Sequence, residues 1–183
     1  MEWFWYFVIY SFSGFLLEVV FARLVHGRPD RKCFLVLPLC PVYGLGACAC
    51  LLLAPLAGGR PAVLFLLGAA ACSAVEYAMA MWYEYVVGMP FWDYTGVFGN
   101  LHGRVCLPFS AAWGLLILAL VDRIHPAVAG FVFAIPGSVT AAAVPILLTD
   151  ATVSHMLLRR TGDRACLRWY DAAFRKRARR NET

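Results

Sequence analysis

From residue 3 to residue 25 the chain is charged only at Glu18 and Arg23, and four further apolar runs follow. A helix rises ~1.5 Å per residue and the hydrocarbon core of a bilayer is ~30 Å thick, so ~20 mainly apolar residues mark one crossing. The runs 3–25, 33–56, 62–87, 105–121 and 127–148 each approach that length. They predict an all-α membrane protein, a bundle of about five transmembrane helices. Composition agrees: 62% of the 183 residues are hydrophobic and 15% are charged, against about 25% charged in an ordinary soluble domain. The length leaves room for one membrane domain, 1–158, and a basic tail, 159–183.

Lysine and arginine set the expected orientation, because cytoplasmic loops hold an excess of them. With five spans, Arg23, Arg28, Arg31, Lys32, Arg104 and nine residues of the tail fall on one side. Only Arg60 and Arg123 fall on the other. The N-terminus is therefore expected outside and the C-terminus in the cytoplasm. The start of the chain lacks a basic stretch and carries Glu2, so it does not read as a cleavable signal. The net charge of +5 sits where topology requires it, so nucleic acid is not an expected partner; the lipid bilayer is. Residues 164–180 hold Leu167, Trp169, Tyr170 and Phe174 among basic residues. They read either as a topology signal alone or as an amphipathic helix on the anionic inner leaflet.

Seven cysteines, an odd number lying mostly in apolar runs, read as packing residues and not as a disulfide framework. No Cys/His grouping has metal-ligand spacing, so neither metal nor cofactor is expected. Small residues recur every four positions at Ala70, Ala74, Ala78 and at Gly130, Ala134, Ser138, Ala142. They read as contact faces within the bundle, or as a homodimer face. Residues 122–126 read as a turn, and Pro136 and Pro145 as bends in the fifth span. Pro38, Pro41, Gly44 and Gly46 interrupt the second span near its inner end. Broken backbone at membrane depth must be buried in protein or line a wet cavity.

Glu18, Glu76 and Glu84 lie inside expected spans. A charge at the bilayer centre costs at least ~2.5 kcal/mol, so such residues face the bundle interior and take partners. Glu18 falls ~10 Å and Glu84 ~6 Å from the inner ends of their helices, counted at ~1.5 Å per residue. The segment 88–104 has too many aromatics for a solvated loop and too many Gly and Pro for a span. It reads as re-entrant or interfacial, capping the cytoplasmic end. Arg104 is its only cation and the natural counter-ion for Glu18 or Glu84. The candidate site is thus Glu18, Tyr43, Glu76, Glu84, Trp92, Asp93, Asn100 and Arg104. These residues would form either an internal ion pair that fixes the bundle or a polar cavity open to the cytoplasm.

The ordered set of Glu18, Pro38 to Gly44, Glu76, Glu84, Trp92-Asp93-Tyr94, Asn100 to Ser110 and Trp113-Gly114 resembles the CmpB-like bacterial membrane proteins. These are labelled putative ABC transporter permeases, type IV. The resemblance runs over residues 12–114, with looser similarity into the fifth span. It implies a multi-pass protein of the bacterial cytoplasmic membrane, a separate ATPase subunit and a homo-oligomer. The chain has no phosphate-binding G-x-x-x-x-G-K-[ST] loop of its own. Three functions compete: a transporter permease-like component, an integral membrane enzyme acting on a lipid with Glu84 or Glu18 as general base, and a non-catalytic membrane partner or sensor.

Overall fold

The computed structural model describes residues 1–26 and 33–167. The described residues are mostly helical. Helix α1 spans Glu2–His26. Helix α2 spans Pro41–Leu53 and tightens into a 3-10 turn over Ala54–Ala57. Helix α3 spans Pro61–Trp82 and widens into a π turn over Tyr83–Val87. Helix α4 spans Leu107–Ala119; a second π turn, Leu120–Ile124, joins it to α5, His125–Phe133. Helix α6 spans Gly137–Thr161. Among the described residues there is no strand, only an isolated bridge between Leu101 and Val105.

Four helical stretches are long and apolar enough to cross a membrane: Glu2–Val25, Pro61–Val87, Leu107–Phe133 and Gly137–Thr161. The fifth, Pro41–Ala57, is shorter and covers only ~25 Å at ~1.5 Å per residue. Leu16, Leu17, Val20, Leu52, Leu66, Leu115, Phe131, Ile146 and Leu148 point outward and are exposed. An outside made of leucine and phenylalanine suits hydrocarbon and not water. The chain is a multi-pass membrane protein.

The second span starts at Pro41 and not at residue 33. Segment 33–40 precedes it as a bent, non-helical loop, and Cys33, Phe34, Leu35, Leu39 and Cys40 are buried. Its amides are satisfied by protein. Val36 N–H donates to Ser154 Oγ at 3.0 Å and Leu37 N–H to the Asp150 carboxylate at 3.3 Å. Cys40 N–H donates to the Ser11 carbonyl at 2.9 Å. Irregular backbone survives here because α1 and α6 supply the acceptors that water cannot. Cys33 and Cys40 are disulfide-bonded, so the reading of all seven cysteines as packing residues fails at this pair. The other described cysteines are free thiols.

The expected turn at 122–126 is helix. Pro126 lacks an N–H and its ring would crowd the carbonyl a turn before it. The π turn Leu120–Ile124 widens the helix there and absorbs the defect. The chain reverses instead at residues 134–136, so the fifth span is Gly137–Thr161 and not 127–148. Pro136 precedes that helix, and only Pro145 lies inside it. Gly162 ends it at φ 63°, giving its N–H to the Leu158 carbonyl at 2.9 Å. Arg164 then turns back to the Phe91 carbonyl at 2.6 Å. Most of the stretch expected as an amphipathic tail, from Arg168 onward, lies outside the described residues.

The small-residue stripes are not bundle contacts. Ala70, Ala74, Ala78, Gly130, Ala134, Ser138 and Ala142 are exposed. Close approach uses other glycines. Gly14 of α1 lies against the Tyr43 ring, and Gly44 of α2 against Ser11 and Phe7. Gly68 of α3 receives Ile117, and Gly114 of α4 receives Phe65. Lipid offers no hydrophobic drive between helices, so such contacts hold the bundle by packing. Two apolar clusters result. Tyr6, Tyr10, Leu64, Ile117 and Val132 fill one end; Phe34, Leu35, Tyr83, Phe91 and Leu158 fill the other.

Candidate functional site

Arg104 pairs with Glu84, one of its two expected partners. Nη2 donates to Oε2 at 2.6 Å, and Nε donates to Oε2 at 3.0 Å and Oε1 at 3.2 Å. This is the two-pronged geometry a guanidinium offers a carboxylate. Nη1 donates to the Tyr77 hydroxyl at 3.0 Å, which also meets His102 Nδ1 at 2.9 Å. The Tyr77 and Tyr85 rings flank the cation at 5.2 and 5.9 Å. Hydrogen bonding to Glu84 is the chief force raising the Arg104 pKa. The pair is 15% and 29% exposed, so it lies at the edge of the bundle.

Glu76 sits deeper, at 5% exposure. Its Oε1 accepts from the Tyr94 hydroxyl at 2.9 Å, and its Oε2 from the Trp113 indole N–H at 3.2 Å. Tyr94 reaches it from loop 88–106, stacked on Phe109 with ring centres 5.0 Å apart. The same Trp113 ring meets Tyr43 edge-on at 5.3 Å. The Tyr43 hydroxyl donates to Glu18 Oε1 at 2.7 Å. So α1, α2, α3, α4 and the loop converge on two carboxylates, each held by neutral donors. One turn from Glu76, the Ser73 and Ser110 hydroxyls bond at 2.6 Å and join α3 to α4. Burial pushes the Tyr94 phenol up.

The remaining candidates shape the loop. Trp92 Nε1 donates to the Arg104 carbonyl at 2.8 Å. Asp93 Oδ1 accepts from the Thr95 amide at 2.8 Å and hydroxyl at 2.6 Å, which holds its carboxyl below the usual range. Asn100 Oδ1 accepts from Gly103 N–H at 3.2 Å, while its Nδ2 donates to the Val97 carbonyl at 3.0 Å. Gly103, at φ 70°, lies so close to Asp93 that a Cβ would meet Oδ1 at 2.7 Å. Its carbonyl accepts from Tyr94 N–H at 2.7 Å. This frame aims Tyr94 into the bundle.

Glu18, Glu84 and Arg104 therefore do not gather around one point. Arg104 serves Glu84, and Glu18 joins Glu76 through Tyr43 and Trp113. Tyr77, Tyr94 and Trp113 join the site although the sequence did not mark them as candidates. Tyr77 and Glu84 are seven apart on one helix, two turns along one face, which could have revealed it. Among the described residues, no group of three or more His, Cys, Asp and Glu could hold a metal ion.

Two cavities lie elsewhere. One of about 550 Å³ opens at the far end, lined by Glu2, Trp3, Tyr6, Arg60, Asp122 and His125 among others. The second, about 360 Å³, is an apolar groove bordered by Phe7, Phe34, Trp82 and Leu147. Neither lining includes Glu18, Glu76, Glu84 or Arg104.

A family model described as Putative ABC-transporter type IV matches residues 5–157. The match reaches well beyond the 12–114 stretch that carries the resemblance and stops short of the basic tail. No curated protein and no solved structure matches the chain.

Proposed function

The chain belongs to the family described as Putative ABC-transporter type IV, and from that premise we propose that it is the membrane-spanning, permease-like subunit of a transporter driven by a separate ATPase. Its polar centre is Glu18 and Glu76, in the half of the bundle that loop 88–106 covers. Tyr43, Tyr94 and Trp113 hold those carboxylates, and the Arg104–Glu84 pair fastens the loop above them. The observation that carries this reading is Glu76, a carboxyl group 5% exposed inside a span and bonded only to neutral donors. A helix that merely anchors a protein has no use for a group costing at least ~2.5 kcal/mol at membrane depth.

The loop-covered end faces the bacterial cytoplasm in this proposal. Arg104, Arg159 and Arg164 contact residues 84–91, whereas Arg60 lines the far cavity; basic residues favour the inner side. The tail 159–183 then lies in the cytoplasm, where an ATPase would bind. Several copies form the pathway, since five helices enclose little space.

Reconstitution with a candidate ATPase subunit tests the reading. Vesicles holding both should hydrolyse ATP faster than vesicles holding the ATPase alone, and E76Q should abolish the increase. Turnover of a lipid substrate by the chain alone would replace transport by catalysis. A fluorescent protein fused after Thr183 should glow; a dark fusion with normal expression would reverse the orientation.

A further inference from the structure

We propose that Glu76 is a proton-binding site, neutral at rest, that exchanges its proton with the loop-covered side through the hydroxyl of Tyr94. The proposal rests on reading Glu76 as part of the polar centre. Its test needs neither an ATPase nor transport, so the two can fail separately.

Three observations point to a proton. First, Glu76 is buried within a span at 5% exposure. Second, among the described residues no cation lies within ion-pair distance of it. The Arg104 guanidinium is committed to Glu84 and Tyr77. A carboxylate buried without a counter-ion neutralises itself more cheaply than it stays charged. Third, the donors suit both protonation states. The Trp113 N–H can only donate, so Oε2 remains an acceptor throughout. The Tyr94 hydroxyl can donate or accept. With Glu76 ionised, Tyr94 donates to Oε1; with Glu76 protonated, the Oε1 proton is donated to Tyr94. No heavy atom has to move.

The electrostatic surroundings favour the neutral form. The titratable groups that act on this cluster are Glu18 from α1, Tyr43 from α2, Cys72 on α3 itself, and Tyr94 and Cys106 at the loop. None of them is a cation at neutral pH, and Glu18 is a second acid. A carboxyl buried among such groups is cheaper neutral than charged. In the exchange step Glu76 gives its Oε1 proton to the Tyr94 oxygen while the Tyr94 hydroxyl proton leaves to water on the loop side; reprotonation runs the same two transfers in reverse, so the phenol is neutral before and after.

Infrared spectroscopy of the full chain in lipid vesicles reads the proton directly. At about pH 7 the wild type should show a carboxylic-acid C=O band that E76Q lacks and E18Q keeps. Tyr94→Phe retains the carboxyl but removes one hydrogen-bond partner, so the band should persist and move to higher frequency. Exchange of that proton for deuterium should be at least about tenfold slower in Y94F, about 1.4 kcal/mol on the barrier. Absence of the acid band in the wild type would overturn the proposal. So would its persistence in E76Q, or its loss in E18Q with retention in E76Q, which would move the proton to Glu18. If E76Q does not fold, an unshifted band in Y94F overturns it alone.

Discussion

Tyr43 on α2 gives its hydroxyl proton to Glu18 on α1 at 2.7 Å while its ring stands edge-on against Trp113 of α4. One side chain thus ties three helices and one intramembrane carboxyl. Tyr43→Phe keeps the packing and deletes the bond. It should cost ~1–3 kcal/mol, the penalty for an abandoned buried polar group. Equilibrium unfolding in detergent measures this, and E18Q, which still accepts the bond, should lose less. Equal losses would mean the ring, and not the hydroxyl, holds the helices.

The Arg104–Glu84 pair should depend on shape as well as charge. R104K keeps the charge but cannot make the two-pronged contact or span Tyr77 and Tyr85. R104K and R104A should therefore loosen the loop to similar, modest degrees, because the pair is partly exposed. Limited proteolysis across 88–104 reads loop opening. Wild-type resistance in R104K would show that charge alone suffices.

Glycine at 114 should be far more demanding than glycine at 130. A Cβ on Gly114 would lie 2.7 Å from the Phe65 ring and 2.9 Å from the Phe65 carbonyl, whereas one on Gly130 meets nothing within 4 Å. G114A should cost ~1–3 kcal/mol by overpacking, and G130A should be neutral or slightly stabilising through helix propensity. Thermal unfolding of both variants decides it. A harmful G130A would place a second subunit on that face.

Acid should loosen the loop at Asp93. Its folded-state pKa lies below the ordinary carboxyl value because Thr95 donates two hydrogen bonds to it. A depressed folded pKa stabilises fully above the unfolded pKa, ~3.9, and that contribution disappears as pH falls through the folded value. Trp92 fluorescence followed down to about pH 2 should report opening. D93N should remove that part of the transition while leaving the rest of the acid response.

Much of this arrangement was legible in the sequence because lipid leaves few choices. Apolar runs and the lone Arg104 near Glu84 each reflect one dominant cost: charge or bare backbone in hydrocarbon. Where two local effects compete, the sequence misleads. Asp122, Arg123 and Pro126 look like a turn, but a widened helical turn costs less than a chain reversal there. Every-fourth small residues look like contact faces, yet the close approaches fall at Gly14, Gly44, Gly68 and Gly114, where a partner ring or branched side chain fits. The partners of Glu76 were hidden because Tyr94 and Trp113 are 18 and 37 residues away.

The short α2 gives the bundle one layer unlike the others. Along that layer ~25 Å of helix must serve a ~30 Å hydrocarbon core. Chain 33–40 leads into the first turn of α2, with amides tied to Ser154, Asp150 and Ser11. Long helices adapt to membrane thickness by changing tilt, at a fraction of a kcal/mol per Å. Segment 33–40 has no such freedom, because lengthening it would strip its amides of acceptors. In a thicker bilayer the lipid must thin locally beside α2, so the composition of the host membrane bears on this one seam before it reaches the rest of the protein.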